Sequence, residues 1–409
     1  MKKIAIIGAG ITGITTAYQL IKRGYDVTVF EKHRYPGMET SFANGGQLSA
    51  SNAEVWTSWN TVGQAIKWIF KKDAPLLFNP RPTLHKLTWV LEFLANIPNH
   101  KKNTLYTAKM AIESRKEFKK ILKEENLKIN LEEKGILHLS ETKQTFEQAL
   151  KINKWLNDAG LERYPVTINE IKKIEPTINL KNMFGGFFTK SDMTGDIHLF
   201  TKQLAEICKN KGVNFKYSSN VTKILYQKEE IKIYFNIDQH NEDQVYNAIV
   251  ICAGVDSKKF ASMVGDKINI YPVKGYSITV MLNDIQSQMS APKVSLLDDK
   301  AKIVTSRLGK YRFRVAGTAE FNGFNKDIRD DRIIPLLDWC NKLFPKVSTE
   351  HSIPWAGLRP MTPSMMPKIG KGTFPGVFYN TGHGHLGWTL SSLSSEIIAD
   401  QILSHYEKI

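Results

Sequence analysis

The start of the chain alternates between the hydrophobic pattern of a buried strand and that of an amphipathic helix. Residues 4–7 form a short run of apolar, mostly branched side chains, typical of a strand buried in a parallel sheet. Apolar residues recur at helical spacing between Gly13 and Gly24, and a glycine is a common helix terminator. A second apolar run follows at 27–30. The pattern predicts a strand–helix–strand unit over residues 4–31.

The rest of the chain continues with both periodicities and favours an α/β fold. Helical spacing predicts helices at 104–126, at 197–211 and from the C-terminal glycine cluster to about His405. Alternation of apolar and polar residues over 270–282 and 301–318 indicates antiparallel strands. Shorter apolar runs predict further strands at 135–139, 185–189, 213–217, 221–226, 231–235, 246–252 and 376–380.

The first predicted unit carries a phosphate-binding motif, Gly8-x-Gly10-x-x-Gly13. Gly8 permits the tight turn, Gly10 lets the backbone approach a pyrophosphate, and Gly13 lets the helix pack closely on the strand. The helix N-terminus offers free N–H groups to the phosphates. Glu31, at the end of the second strand, is placed to accept hydrogen bonds from ribose hydroxyls. Since the motif has its strand, helix and acid in place, it indicates a dinucleotide site.

Two further glycine-containing segments can approach the same ligand. Ala253-Gly254 follows a buried strand and offers a second backbone contact to the nucleotide. Residues 382–387 also read as GxGxxG, but one helix and no strand follow, which argues against a second dinucleotide site. A helix N-terminus at this point can instead stabilise an anion that develops during turnover.

Composition narrows the function classes. The chain has 409 residues, 42% of them hydrophobic, and a net charge of +16, which suggests an anionic partner unless it is compositional bias. Three separated cysteines without CxxC spacing fit a reducing compartment. His383 and His385 are spaced i, i+2 without an accompanying carboxylate or cysteine, so we expect no metal. Cleaving the signal-like N-terminus would destroy the first strand, so we expect no export.

Residues 61–102 combine apolar stripes with positive charge. The segment contains seven basic residues and two acidic residues. Four of the chain's eight tryptophans lie within it or just before it, at 56, 59, 68 and 89. Such segments suit an anionic membrane surface; the alternative is that the stripes pack on the protein's own core. The stripes are Val62, Ala65, Ile66, Ile69 and Phe70, beside Lys67, Lys71 and Lys72, and then Leu84, Leu87, Leu91 and Leu94.

Motifs spread over almost the whole chain resemble bacterial D-amino acid dehydrogenases, within the D-amino acid oxidase and glycine oxidase flavoproteins. After the FAD-type fingerprint of residues 8–31 come Glu39-Thr-Ser-Phe-Ala-Asn-Gly-Gly-Gln-Leu48, Tyr271-Pro-Val-Lys-Gly-Tyr-Ser277, Gly357-Leu-Arg-Pro-Met-Thr-Pro363 and Asn380-Thr-Gly-His-Gly-His-Leu-Gly-Trp-Thr389. One departure is Ser364-Met365, where the family usually has Asp-Gly.

The resemblance implies two domains and non-covalent FAD. The α/β fold would have a Rossmann-like FAD-binding domain formed by 1–55, 193–262 and 353–409. A second, mixed and largely antiparallel β-sheet domain would cap the substrate, formed by 56–192 and 263–352. The motifs and the resemblance together give these candidate cofactor-binding residues: Gly8, Gly10, Ile11, Thr12, Gly13, Glu31, Lys32, Thr40, Ser41, Asn44, Gly45, Gln47, Leu48, Val221, Ala253, Gly254, Gly382, Gly384, Leu386, Gly387, Trp388 and Thr389.

Three residues are the candidate catalytic groups. Oxidation of an amino acid requires its carboxylate to be held and its Cα–H to be aimed at the flavin in a pocket that excludes water. Arg359 can pair bidentately with a carboxylate, the role that the resemblance also implies; the alternative is a structural arginine. Tyr276 could donate a second hydrogen bond or simply belong to the core. His383 is expected near the flavin edge.

These features lead to one expected activity and two alternatives. We expect FAD-dependent deamination of a small D-amino acid to a 2-oxo acid and ammonia, with electrons passed to a quinone at the inner face of the cell membrane. The first alternative is an oxygen-using oxidase of glycine, sarcosine or proline-type amines. The second is a tRNA-modifying flavoprotein, although a nucleic-acid partner is not favoured.

Overall fold

The computed structural model describes residues 1–69, 74–181, 183–227, 230–238 and 240–407. Its strands lie, in chain order, at β1 (Lys3–Ile7), β2 (Asp26–Phe30), β3 (Gln47–Leu48), β4 (Leu76–Phe78), β5 (Ile136–Ser140), β6 (Tyr164–Val166), β7 (Gly185–Thr189), β8 (Met193–Thr194), β9 (Asn214–Lys216), β10 (Asn220–Gln227), β11 (Glu230–Ile237), β12 (His240–Tyr246), β13 (Ala248–Ile251), β14 (Tyr271–Met281), β15 (Ser295–Asp298), β16 (Ile303–Leu308), β17 (Arg312–Phe321), β18 (Ser352–Met361), β19 (Lys368–Lys371) and β20 (Val377–Thr381).

Helices connect and cover these strands. They lie at α1 (Ile11–Lys22), α2 (Trp59–Ile69), α3 (Leu84–Ala95), α4 (His100–Glu124), α5 (Lys143–Asp158), α6 (Ile168–Ile174), α7 (Ile197–Asn210), α8 (Ser257–Met263), α9 (Ile285–Ser290), α10 (Asp330–Leu343) and α11 (Gly387–Tyr406). Short 3-10 turns precede α4, α8 and α11.

The first sheet, which we call the Rossmann sheet, has the order β19-β20-β13-β1-β2-β9. β1 lies at its centre and runs parallel to β2 and β13, with Ile4 opposite Val27 and Ala248. Buried side chains of α1, α7 and α11 form the core on one face, and the separate β10–β11–β12 sheet covers the other. The strand–helix–strand unit predicted at the N-terminus is therefore confirmed, with Gly24 at φ +80° just beyond the helix.

The second sheet, the cap sheet, has the order β18-β14-β17-β16-β15-β5-β7-β6, with β4 paired to β17. Its pairs are antiparallel except β5–β15 and β4–β17, so the prediction of a mixed, largely antiparallel second sheet is confirmed. α10 packs on one face and shares a hydrophobic core with β14 and β17. The other face is turned toward the Rossmann sheet's glycine-rich loops, as the contacts of residues 40–47 show below.

The chain crosses between the two sheets at positions that differ from the predicted boundaries. β18 pairs with β14 along its whole length, so the last Rossmann segment begins after Met361 and not at residue 353. α4 falls in the predicted cap segment, yet its Phe118 and Ile121 pack in the core of the Rossmann sheet. The strand predicted over 246–252 is also divided, because Tyr246 ends β12 and β13 begins at Ala248.

The apolar stripes of residues 61–102 divide between the surface and the core. On α3, Leu84, Leu87 and Leu91 are 77%, 56% and 57% exposed, whereas Trp89 and Phe93 are buried. On α2, Ile66 and Trp59 are exposed. Phe70, Lys71 and Lys72, which belong to the predicted stripe and its flank, lie outside the described residues. In the part of the chain that the structure describes, we find no helix with the length and hydrophobicity needed to cross a bilayer.

Candidate active site

A cavity of about 1010 Å³ separates the two sheets. The Rossmann side contributes the turn after β1, the end of β2 and the segment after β13, and the cap side contributes β14, β16, β17 and β18. α2 and α5 border the same space. Because the carboxyl ends of β1, β2 and β13 meet at this edge, the cavity lies where open α/β sheets bind their ligands.

Each of the three motif glycines is required for a different structural reason. Gly8 has φ +103°, and a β-carbon there would lie 2.8 Å from the carbonyl oxygen of Cys252. A β-carbon on Gly13 would lie 1.9 Å from the Gly8 oxygen, so this glycine is required for close packing, and it does not line the cavity. Gly10 borders the cavity, and its β-carbon would meet only Ser41 Oγ, at 3.5 Å. The protein's own atoms therefore leave space beside Gly10, which a ligand in close contact with the backbone would need.

Glu31 is held rigidly at the end of β2. One carboxylate oxygen accepts the Ala9 N–H at 2.7 Å, and the other accepts the His33 N–H at 2.9 Å. Burial raises the pKa of this carboxyl, while the two N–H donors act in the opposite direction. Glu31 borders the cavity, where its remaining lone pairs can accept hydroxyl groups. The other predicted residues that border the cavity on this side are Ile11, Thr12, Lys32, Val221, Ala253 and Gly254.

The loop of residues 39–48 links the two sheets. Ser41 Oγ accepts the Ile11 N–H at 3.0 Å and so occupies one free donor of the α1 N-terminus. Thr40 Oγ1 donates to the Leu358 carbonyl at 2.7 Å, and Gln47 Nε2 donates to Ser295 Oγ at 2.8 Å, both on the cap sheet. The loop therefore fixes the separation of the cavity walls.

Three predicted residues of this loop have roles other than direct ligand approach. The side chain of Leu48 is 3% exposed and packs in the hydrophobic core of the Rossmann sheet. Gly45 borders the cavity, but its β-carbon would lie 2.5 Å from Val304 Cγ2, so close packing on β16 explains this glycine. Asn44 Oδ1 accepts the Gly46 N–H at 2.9 Å and shapes the turn.

The C-terminal glycine cluster delivers the start of α11 to the cavity. Gly382 and Gly384 have φ +74° and +57°, which allows the chain to turn into the helix. A β-carbon on Gly387 would meet no atom nearer than His383 Cβ at 4.0 Å. Thr389 Oγ1 accepts the Ser49 N–H at 3.2 Å. Gly382, Gly384, Leu386, Gly387, Trp388 and Thr389 all border the cavity.

Both histidines of this cluster are bound to the protein. His383 Nε2 lies 3.1 Å from Ser394 Oγ, and burial lowers the pKa of His383 to about 3. His385 Nε2 lies 3.1 Å from the Asn52 carbonyl oxygen, its ring stacks on Trp56, and burial lowers its pKa to about 4. Both side chains are therefore neutral at physiological pH, and both border the cavity.

Arg359 is a cation at the cavity wall. Its Nη1 donates to the Thr318 carbonyl at 2.9 Å, and its guanidinium lies over Gly275, where a β-carbon would be 2.4 Å from Cζ. Burial lowers the pKa of Arg359 to about 10, which leaves it charged at neutral pH. Among the residues that the structure describes, no carboxylate forms an ion pair with it. The arrangement therefore offers an unneutralised positive charge to a ligand in the cavity.

Tyr276 borders the cavity, but its hydroxyl is bound by a neighbouring carboxylate. Its hydroxyl donates to Glu320 Oε2 at 2.6 Å, and Lys274 Nζ lies 3.3 Å from the same oxygen. Tyr276 is 1% exposed and packs with the α10 side of the cap sheet. Since neighbouring residues of a strand face opposite sides, its side chain lies on the face opposite Arg359 and Gly275. The hydroxyl is committed to Glu320 and does not reach a carboxylate bound by Arg359.

Sequence reasoning missed other polar residues in the cavity wall and directly behind it. Asp192 is buried and accepts the N–H groups of Ala50 and Ser51, both at 3.0 Å. Ser51 Oγ lies 2.8 Å from His138 Nε2, so this network connects the Rossmann side to the cap sheet. Thr318, which holds Arg359, was also missed. These residues have no motif, because their partners come from distant parts of the chain.

The residues present fit FAD. The open backbone at Gly10, the free lone pairs of Glu31 and the α11 N-terminus at Gly387 face one cavity, and these features suit pyrophosphate, ribose and an electron-rich ring edge. Residues 3–401 match the family described as FAD dependent oxidoreductase, DAO. The chain belongs to this family of FAD-dependent flavoproteins.

Individual relatives cover nearly the whole chain. The protein named D-amino acid dehydrogenase 3 from Mesorhizobium japonicum is 55% identical over 98% of this chain and 96% of its own length. D-amino acid dehydrogenase from Dechloromonas aromatica is 37% identical, again over 98% of this chain and 96% of its own. The crystal structure of glycine oxidase from Bacillus cereus shares the fold, with a TM-score of 0.75 and 21% identity over 99% of this chain and 98% of that one.

Proposed function

We propose that this flavoprotein oxidises D-amino acids to 2-oxo acids and ammonia and passes the electrons to a quinone. The observation that carries the proposal is Arg359, a cation at the cavity wall without a carboxylate partner among the described residues. A buried positive charge destabilises the folded protein unless an anion pairs with it. An amino acid brings the planar carboxylate that a guanidinium binds best.

The surroundings of Arg359 favour one orientation of its guanidinium. The Thr318 carbonyl binds Nη1, and Gly275 lets the planar group lie flat against the strand. Such a clamp fixes one end of the substrate and leaves the Cα–H and the amine to be placed by the pocket. We propose that the substrate carboxylate pairs with the guanidinium atoms that Thr318 leaves free.

The reaction requires little acid–base catalysis from the protein's side chains. FAD, when bound, supplies a two-electron acceptor for the hydride that leaves Cα. The buried, neutral His383 and His385 add no charge that would compete with Arg359 for the carboxylate. α2 and the cap sheet enclose the cavity, and the resulting low dielectric strengthens the ion pair. The imino acid product is hydrolysed by water to the 2-oxo acid and ammonia.

The preference for D-amino acids and the use of an acceptor other than oxygen come from the similarity to the dehydrogenases of Mesorhizobium japonicum and Dechloromonas aromatica. Two relatives that match this chain along nearly its whole length carry that name. The choice between enantiomers follows from which face of Cα lies toward the acceptor once the carboxylate is held by Arg359.

We further propose that α2 and α3 contact the inner face of the cell membrane. Leu84, Leu87 and Leu91 form an exposed apolar row on one side of α3, and the exposed Lys101 and Lys102 follow at the start of α4. An apolar row beside lysines suits the boundary between anionic head groups and acyl chains. This position would bring the enzyme to a quinone dissolved in the bilayer.

Anaerobic mixing tests the proposed function. The flavin absorbance of the purified holoenzyme is followed after addition of D- or L-amino acids, and the product is identified by mass. Bleaching by D-amino acids alone, with formation of the 2-oxo acid, is the expected result. Bleaching by L-amino acids alone would contradict the proposal. Stoichiometric hydrogen peroxide during turnover in air would identify an oxidase instead.

A further inference from the structure

The cap sheet contains a bulge beside Arg359. Lys274 of β14 lies opposite Glu320 of β17, but Tyr276 lies opposite Gly317. Two residues of β17, Thr318 and Ala319, therefore face the single residue Gly275 of β14. Bulges commonly redirect a side chain or a carbonyl next to a functional site. Here the bulge directs the Thr318 carbonyl to the guanidinium of Arg359, at 2.9 Å.

Thr318 adopts a backbone conformation that its side chain disfavours. Its φ is +58°, in the left-handed region where a β-branched residue is rare and strained. Glycine would adopt this conformation without that strain and would keep the carbonyl that binds Arg359. The bulge alone thus explains the backbone at this position but not the presence of a threonine side chain.

The hydroxyl of Thr318 has no partner among the residues that the structure describes. The residue is 6% exposed and borders the cavity, and among the described residues Oγ1 makes no hydrogen bond. A buried hydroxyl without a partner destabilises the folded state. Strain and an unsatisfied hydroxyl meet in one residue, in contact with the cation of the cavity. Such a combination indicates a group whose partner arrives with a ligand.

We propose that Thr318 is a second carboxylate-binding residue: its hydroxyl donates to the anion that Arg359 holds. The inference deepens the proposed function and rests on it, because it assigns the same carboxylate two donors, one on β18 and one in the bulge of β17. It also replaces Tyr276, whose hydroxyl is bound to Glu320. A hydroxyl donor adds direction to the ion pair, since it favours one position of the carboxylate along the guanidinium edge.

Benzoate binding to the holoenzyme tests this assignment without turnover. Benzoate is a rigid carboxylate with no amine to oxidise, and its binding is followed by the perturbation of the flavin absorbance. Thr318→Val keeps the branched shape and removes the hydroxyl, whereas Thr318→Ser keeps the hydroxyl. Thr189→Val is the matched control: Thr189 is buried in β7 of the same cap sheet, and its hydroxyl also lacks a partner among the described residues.

Thr318→Val should weaken benzoate binding by about ten- to a hundredfold, the range for a hydrogen bond to a charged group. Thr318→Ser should recover most of the affinity, and Thr189→Val should leave it unchanged. The melting temperature of Thr318→Val without benzoate should equal or exceed that of the parent, because an unsatisfied hydroxyl is removed. Affinity lost together with stability would instead indicate a purely structural threonine.

The outcomes separate this inference from the proposed function. If Thr318→Val binds benzoate as the parent does, the hydroxyl does not bind the carboxylate and the inference is wrong. If Thr318→Val and Thr318→Ser weaken binding equally, the shape of the side chain matters and not its hydroxyl, which also overturns it. If the parent binds benzoate through Thr318 and Arg359 but oxidises no D-amino acid, only the proposed function fails.

Discussion

The guanidinium of Arg359, on β18, lies directly over Gly275 of the neighbouring strand β14, with no room for a side chain on that residue. A β-carbon on Gly275 would lie 2.4 Å from the guanidinium carbon, closer than any packed structure tolerates. The glycine of β14 and the arginine of β18 thus form one unit. The position of the cation depends on the absence of a side chain at Gly275.

Gly275→Ala should therefore act like a loss of Arg359. The new methyl group displaces the guanidinium, and we expect kcat/KM for D-amino acids to fall by about tenfold to a thousandfold. FAD content should stay near that of the parent. Gly63→Ala is the control, since a β-carbon there would meet no atom within 4 Å. Steady-state kinetics decide the matter, and full activity of Gly275→Ala would exclude the clamp.

Arg359→Ala should lower kcat/KM by a factor between about 30 and several thousand, because removal of one member of a buried charge pair costs roughly 2–5 kcal/mol. Arg359→Lys should restore only part, since a point charge cannot reproduce the planar two-bond contact. Amines without a carboxylate should be poor substrates for all three proteins. Parental efficiency of Arg359→Ala on D-amino acids would show that the carboxylate is bound elsewhere.

Gly10→Val should abolish flavin binding and leave the fold intact. The protein leaves space at Gly10, where a β-carbon would have only Ser41 Oγ within 4 Å. The valine side chain would therefore occupy the space expected for the pyrophosphate of FAD. The purified variant should be colourless, with the circular dichroism of the parent apoprotein. A yellow variant that retains FAD by mass would show that the pyrophosphate lies away from Gly10.

His383 should contribute to acid sensitivity. Burial lowers its pKa from 6.5 to about 3, so the folded state binds a proton less readily than the unfolded state. Its stabilising contribution is therefore complete above pH 6.5 and is lost as the pH falls toward 3, by up to roughly 1.4 kcal/mol per pH unit. His383→Asn should flatten the decline of melting temperature over this window. His351→Asn, at an exposed position, should leave the slope unchanged, and equal slopes for both would contradict the prediction.

The apolar row of α3 should govern membrane association. Replacement of Leu84, Leu87 and Leu91 by serine removes exposed apolar area, and sedimentation with anionic vesicles should weaken by about tenfold or more. Leu403→Ser, on the 37%-exposed Leu403 of α11, is the control. Raised salt should release the parent protein, because screening weakens the attraction of lysine to lipid. Equal sedimentation of the triple variant and the control would show that α3 does not touch lipid.

The parts of the site that the sequence predicts are those built from neighbouring residues. Gly8, Gly10 and Glu31 belong to one strand–helix–strand unit, so spacing alone indicates their geometry. The remaining parts of the site depend on long-range strand pairings, which the sequence does not predict. The strain at Thr318 arises from the register between β14 and β17, and the direction of Tyr276 depends on which face of the sheet α10 covers.

The Asp192 contact and strand β12 also depend on pairings that the local sequence does not predict. Asp192 binds the Ser51 region, far away in sequence, and nothing near either residue predicts that contact. β12 was missed because its first five residues, 240–244, are all polar, a pattern that predicts a loop. Its strand conformation comes from pairing with β11, residue by residue from Ile231–Tyr246 to Ile237–His240.

The central position of β1 has a consequence for biosynthesis. β1 needs β13 on one side, and β13 in turn needs β20, which lies far along the chain. α11 then closes the core that α1 began. Contacts so distant in sequence form slowly, and until they do β1 and β2 present an open edge to other chains. The flavin site can therefore form only after β20 and α11 have been synthesised.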